Sequence, residues 1–103
     1  MLGELEYLIL IAIVRLGSGA YGVPIVEELR RHTRRPILRA SVYLALRRLE
    51  HKGLIRSRLG DPEPRRGGRA RRFVELTAAA RRELRDSRRT LNSLWQGVRL
   101  DEV

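Results

Sequence analysis

Cysteine is absent from the 103-residue chain, which removes disulfides, thiolate zinc sites and a cysteine nucleophile in one step. Histidine is nearly absent: His32 and His51 are the only two, far apart and without ligand-like spacing, so neither a metal site nor a cofactor is expected. A membrane-length apolar run is missing too. The stretch from Leu8 to Val14 is far too short to span a bilayer, and Arg15 closes it before any small-residue cleavage site. A soluble, cytoplasmic protein without membrane contact is expected. Catalytic groupings are also lacking, with no nucleophile beside a base, no paired carboxylates and no phosphate loop. Glu27 and Glu28 are adjacent, cannot face each other on a helix, and read as a solvated face. No enzymatic activity is expected.

What the chain has in excess is positive charge. The formal net charge is +10, from 22 basic against 12 acidic residues. Such an excess calls for a polyanionic partner, bound through phosphate neutralisation and counterion release. Lysine is scarce, since Lys52 is the single lysine among the basic residues, and a GC-rich genome produces that arginine bias without any functional cause. The positions of the arginines must therefore decide. With 43% hydrophobic residues the chain has room for one domain with a small core, and a small core gains from a partner subunit.

Apolar periodicity sets the order of elements. Leu5, Leu8, Ile9, Ala12, Ile13 and Leu16 fall at spacings of three and four, and Gly17 follows as a stop, which predicts a first helix. The other side of that helix carries Tyr7, Leu10, Ile11 and Val14. Apolar nearly all round, it requires a second covering surface. Pro24 opens a second helix over about 23–33, with Ile25, Val26 and Leu29 inward. After Pro36 a third runs from about Arg39 to Lys52, with Val42, Ala45, Leu46 and Leu49 inward and Gly53 as its cap. His51, next to Lys52 at the helix end, is placed to meet terminal carbonyls. Leu54 to Leu59 and Arg69 to Leu76 read as two strands around a Pro- and Gly-containing loop. Thr77 then caps a last helix whose Leu84, Leu91, Leu94, Trp95 and Val98 form a thin seam amid arginines. The fold class is mainly α with a small β-hairpin wing.

Two segments carry the chemistry. On the third helix Arg39, Tyr43 and Arg47 recur every fourth residue on an outward stripe, and Ser41 lies near its start. An α-helix fits the major groove of B-DNA, where arginine bonds guanine edges and hydroxyls hold phosphates. The alternative is a solvated face with Tyr43 packed on a neighbour. The second segment is the loop, where Arg65, Arg66 and Arg69 surround Gly67 and Gly68. Glycine lets backbone approach a phosphate, and such a wing lies along the backbone or inserts arginine into the minor groove.

The blocks Leu2 to Leu10, Ala20-Tyr21-Gly22, Ser41-Val42-Tyr43, Ala45 to Glu50, Lys52 to Ile55, Arg66 to Arg69 and Leu76-Thr77 resemble, in that order, the motifs of the PadR family of phenolic-acid-response regulators. The resemblance spans about residues 2–97. Leu44 departs from it, standing where the family usually has proline, as does Ala80, where it usually has glycine; both are good helix formers. The resemblance implies a winged helix-turn-helix over residues 1–76 and a C-terminal dimerisation helix and tail over 77–103, the last helix being short as in the compact branch of the family. It also implies a transcriptional regulator, usually a repressor, with the third helix and wing on DNA.

The expected partners are double-stranded DNA and a second copy of the chain. Tyr21, Arg39, Ser41, Tyr43, Arg47, Arg65, Arg66 and Arg69 are the expected DNA-binding residues. The dimer interface is expected from Tyr7, Leu10, Ile11, Val14, Leu84, Leu91, Leu94, Trp95 and Val98. Trp95 is also the candidate for stacking on an aromatic small-molecule effector. The competing reading makes the winged helix a protein-interaction module docking an acidic partner. A docking face should show aromatic or aliphatic anchors, and the outward arginines favour DNA. Double-stranded RNA is disfavoured because its deep major groove cannot be read by side chains.

Overall fold

The computed structural model describes residues 2–60 and 71–102. The described residues form four α-helices, α1 (Glu4–Leu16), α2 (Gly22–His32), α3 (Arg39–His51) and α4 (Ala78–Trp95), and a hairpin of β1 (Ile55–Leu59) and β2 (Arg72–Leu76), with 3-10 turns at Gly17–Gly19 and Leu100–Glu102. The helix stops follow from backbone chemistry. At the end of α3, Gly53 takes φ +75. Its N–H donates to the Glu50 carbonyl at 3.0 Å, and that of Leu54 to the Leu49 carbonyl at 2.9 Å. This paired closure satisfies two otherwise orphaned carbonyls and uses a conformation cheap only for glycine. At the start of α4, Thr77 Oγ1 accepts from the Ala80 N–H at 3.3 Å, the cap expected from sequence.

The hairpin is antiparallel, with Ile55 opposite Leu76 and Ser57 opposite Val74. That register turns Ile55, Val74 and Leu76 inward, and all three are buried. They close a core built from Ile9 and Ile13 of α1, Ile25, Val26 and Leu29 of α2, and Val42, Ala45 and Leu49 of α3. Each of the Ile, Val and Leu side chains among these contributes about 1.5–3 kcal/mol when fully removed from water. The β2 edge is tied to the start of α2, because the Val74 N–H donates to the Ala20 carbonyl at 2.9 Å.

Several details depart from the sequence expectation. Leu10, assigned to a dimer face, is fully buried in the core of the single chain, because α2, α3 and β2 all pack on α1 and cover more of it than one stripe. Glu28, read as part of a solvated face, is buried. Arg15 Nε of α1 donates to its Oε2 at 2.7 Å and Arg31 Nη1 to its Oε1 at 2.6 Å. Lys52 reaches across from the end of α3 to α1, its Nζ donating to both carboxylate oxygens of buried Glu6 at 3.0 and 2.9 Å. The Gly3 N–H donates to the same carboxylate at 2.9 Å, so Glu6 also closes the first turn of α1. The last helix runs for 18 residues. Val98 lies beyond its end, after Gly97 at φ +78. Among the described residues no helix is long and apolar enough to cross a membrane.

Candidate nucleic-acid interface

The inner side of α3 is consumed by the core: Val42, Ala45, Leu46 and Leu49 are all buried. What remains outside is the candidate surface. Arg39 and Arg47 are exposed there, as the sequence stripe predicts. Tyr43, the middle member of that stripe, is part packed and part free, with 41% of its surface exposed. Its ring lies over the first residue of α2, where a Cβ on Gly22 would come within 2.3 Å of Tyr43 Cε1. Only the bare backbone of glycine leaves room for it. Ser41 falls on the other flank of α3. It is half-buried and lines a cavity of about 230 Å³ with Leu5, Leu8, Pro36 and Ile37.

Between α3 and the hairpin runs a cleft of about 530 Å³, lined among others by Gly22, Tyr43, Arg47, Glu50 and Arg72. Its two walls are tied together. Arg72 Nη1 of β2 donates to Ser57 Oγ of β1 at 2.9 Å, and Ser57 Oγ donates to Glu50 Oε2 of α3 at 2.8 Å. The carboxylate of Glu50 is thus engaged by the wing instead of opposing a polyanion from the face of α3.

At the loop end of the hairpin lies a short stack of rings and guanidinium groups. Tyr21 and Phe73 meet edge to face, their centroids 5.5 Å apart. The Arg71 guanidinium lies 4.8 Å from the Tyr21 centroid and that of Arg58 lies 4.7 Å from that of Phe73. Contacts of this kind hold arginine in place while its charge stays available. Tyr21, expected as a phosphate anchor, therefore has its ring against the loop end of the hairpin. Arg65, Arg66 and Arg69, the expected loop contacts, lie outside the described residues.

Sequence reasoning missed Gly22, Glu50, Ser57 and Arg72. Their roles depend on contacts between α2, α3 and the hairpin, which no periodicity encodes. It also passed over Ala40 and Leu44, whose signal was available: both are exposed and lie opposite the buried stripe of α3.

The expected interface residues are divided by the fold. Tyr7 and Leu84 are half-buried, Leu84 against the core. Ile11, Val14, Leu91, Leu94, Trp95 and Val98 are exposed, with Leu94 69% and Trp95 53% accessible.

Two buried carboxylates hold the frame under this surface. Hydrogen bonding from Lys52 keeps the Glu6 carboxyl below its ordinary value; burial opposes this, while the Gly3 N–H and the Lys52 and Arg48 charges assist. For Glu28 the hydrogen bond from Arg15 lowers the value most, again against burial, with the charges of Arg15, His32 and Arg31 helping.

Comparison with known proteins agrees with this geometry. The family model described as "Transcriptional regulator PadR-like family" matches residues 9–86. No curated protein matches the chain. Among solved structures, a PadR family transcription regulator from Clostridium difficile R20291 is similar with a TM-score of 0.73 at 24% identity, covering 91% of this chain and 96% of its own. A PadR family transcriptional regulator from Eggerthella lenta DSM 2243 is similar with a TM-score of 0.69 at 29% identity, covering 91% of this chain and 81% of its own. The helical body with its two-stranded wing is thus a winged-helix fold, and the chain belongs to the PadR-like family of transcriptional regulators.

Proposed function

We propose that this regulator binds double-stranded DNA sequence-specifically as a homodimer on a palindromic operator, in the cytoplasm, and represses transcription. The observation that carries the reading is the exposed face of α3 beside the wing. Arg39 and Arg47 point outward, the one acidic residue of α3, Glu50, is tied to the hairpin through Ser57, and the hairpin adds Arg58, Arg71 and Arg72. A rigid helix with basic side chains beside a basic hairpin matches a major groove flanked by phosphates. Arg39, Tyr43 and Arg47 are assigned to base edges. Tyr21, Ser41, Arg65, Arg66 and Arg69 are assigned to phosphates.

The exposed Ile11, Val14, Leu91, Leu94, Trp95 and Val98, with Tyr7 and Leu84, are assigned to the contact with a second copy. On this reading residues 1–76 serve as the DNA-binding unit and 77–103 as the dimerisation helix and tail. Repression requires nothing beyond occupation of the operator, which excludes other proteins from the same DNA.

Selection from random duplexes at near-physiological salt tests the proposal. An inverted repeat is expected, with half-site centres about one helical turn, ~34 Å, apart. Arg47→Ala should alter the recovered sequence, while Arg66→Ala should weaken binding to all DNA and flatten its salt dependence. If no sequence is enriched and affinity vanishes as salt rises, the basic face docks an acidic partner instead.

A further inference from the structure

We propose that Leu44 is a specificity-determining residue that reads the C5-methyl group of a thymine, making apolar contact the centre of this protein's base recognition. The inference rests on the DNA-binding reading above and deepens it. On a helix of 3.6 residues per turn, Ala40, Leu44, Arg47 and His51 lie along one line, opposite the buried side formed by Val42, Ala45, Leu46 and Leu49. All four residues of that line are exposed. They form the crest of α3, the part that enters deepest when the helix is laid in a groove. Tyr43 stands on the shoulder, drawn toward α2 by its packing over Gly22.

The first half of the crest, Ala40 and Leu44, has no side-chain donor or acceptor. Leu44 leaves 54% of its surface in water and is not part of the core, so packing within the chain does not account for a leucine there. Among the groups a base pair displays in the major groove, only the thymine methyl is apolar, and it is the one a leucine side chain complements. Arg39 and Arg47 flank this contact along the helix with hydrogen-bonding capacity.

The experiment takes the selected duplex and replaces each thymine of one half-site in turn with deoxyuridine, which deletes the methyl and leaves pairing intact. One replacement should weaken binding about fourfold, as expected for one methyl-sized group returned to water. Leu44→Ala should abolish the difference between thymine and uracil at that position, and Leu44→Met, which keeps an apolar side chain, should retain it. Circular dichroism on both variants controls for folding, and an exposed position outside the core predicts native helix content. Should the protein select a sequence but show no uracil-sensitive thymine, or the same sensitivity with Leu44→Ala, the assignment of Leu44 is wrong while the DNA reading stands. Should selection return no sequence at all, both fall.

Discussion

Helices α3 and α4 draw on similar residue types and meet opposite fates. Every aliphatic residue on the inner side of α3 is buried, and its basic residues occupy a separate outer face. Of α4, only Ala80 is buried, while Leu91, Leu94 and Trp95 stand in water beside Arg81, Arg85, Arg88 and Arg89. The difference is one of partners. Helix α3 packs mainly on α1, α2 and β1, whereas α4 packs mainly on α1 and β2. Apolar spacing predicts that a surface will be covered; it does not say whether the same chain supplies the cover.

The largest effect should come from attacking the covered half. Leu49 is fully buried, and Leu49→Ala should cost about 2–5 kcal/mol of unfolding free energy, measured by urea titration. A loss below about 1 kcal/mol would show that α3 is no better anchored than α4. Next comes Gly22→Ala, whose Cβ would meet the Tyr43 ring at 2.3 Å. Overpacking of this kind should cost about 1–3 kcal/mol. Tyr43→Ala should relieve most of that cost in a double-mutant cycle, with a coupling of about 0.5–3 kcal/mol, and additive effects would show that the ring does not sit over α2.

A smaller effect is expected from acid. Glu6 and Glu28 both lie below their ordinary value of 4.5, so on acidification the unfolded chain takes up their protons first. The stability they confer is present above about pH 4.5 and is lost as pH falls through their lowered folded values. Urea midpoints should therefore drop on that side, and Glu6→Gln with Glu28→Gln should flatten the drop; an unchanged slope would remove the two carboxylates from the frame.

Least affected in its own fold should be a chain altered on α4. Leu94→Glu is expected to change protomer stability by no more than about 0.5 kcal/mol, yet to shift sedimentation from two chains toward one. A native chain that sediments singly at high concentration would leave the apolar side of α4 without its proposed cover.

Much of this was legible beforehand for a definite reason. Stripes at helical spacing mark α1, α2 and α3, and Gly17, Gly53 and Thr77 mark boundaries, because capping and burial act over a few residues. Arg39 and Arg47 were legible as outward because the inner stripe of α3 leaves them nowhere else. Relations between elements were not. Glu28 looks solvated beside Glu27 until Arg15 of α1 reaches it, and Leu10 looks spare until the other elements close around α1. Tyr43 looks like a plain member of the stripe until Gly22 is brought beneath it.

Periodicity, caps and charge are local properties, and from them the order of the elements, most helix boundaries and the sign of the outer face follow directly. Tertiary contacts alone set which polar groups are buried in pairs, how the wing is tied to α3 through Glu50, Ser57 and Arg72, and how the Tyr43 ring is drawn over Gly22. Those outcomes depend on contacts between residues far apart in the chain, where geometry selects one arrangement from many that the same local pattern allows.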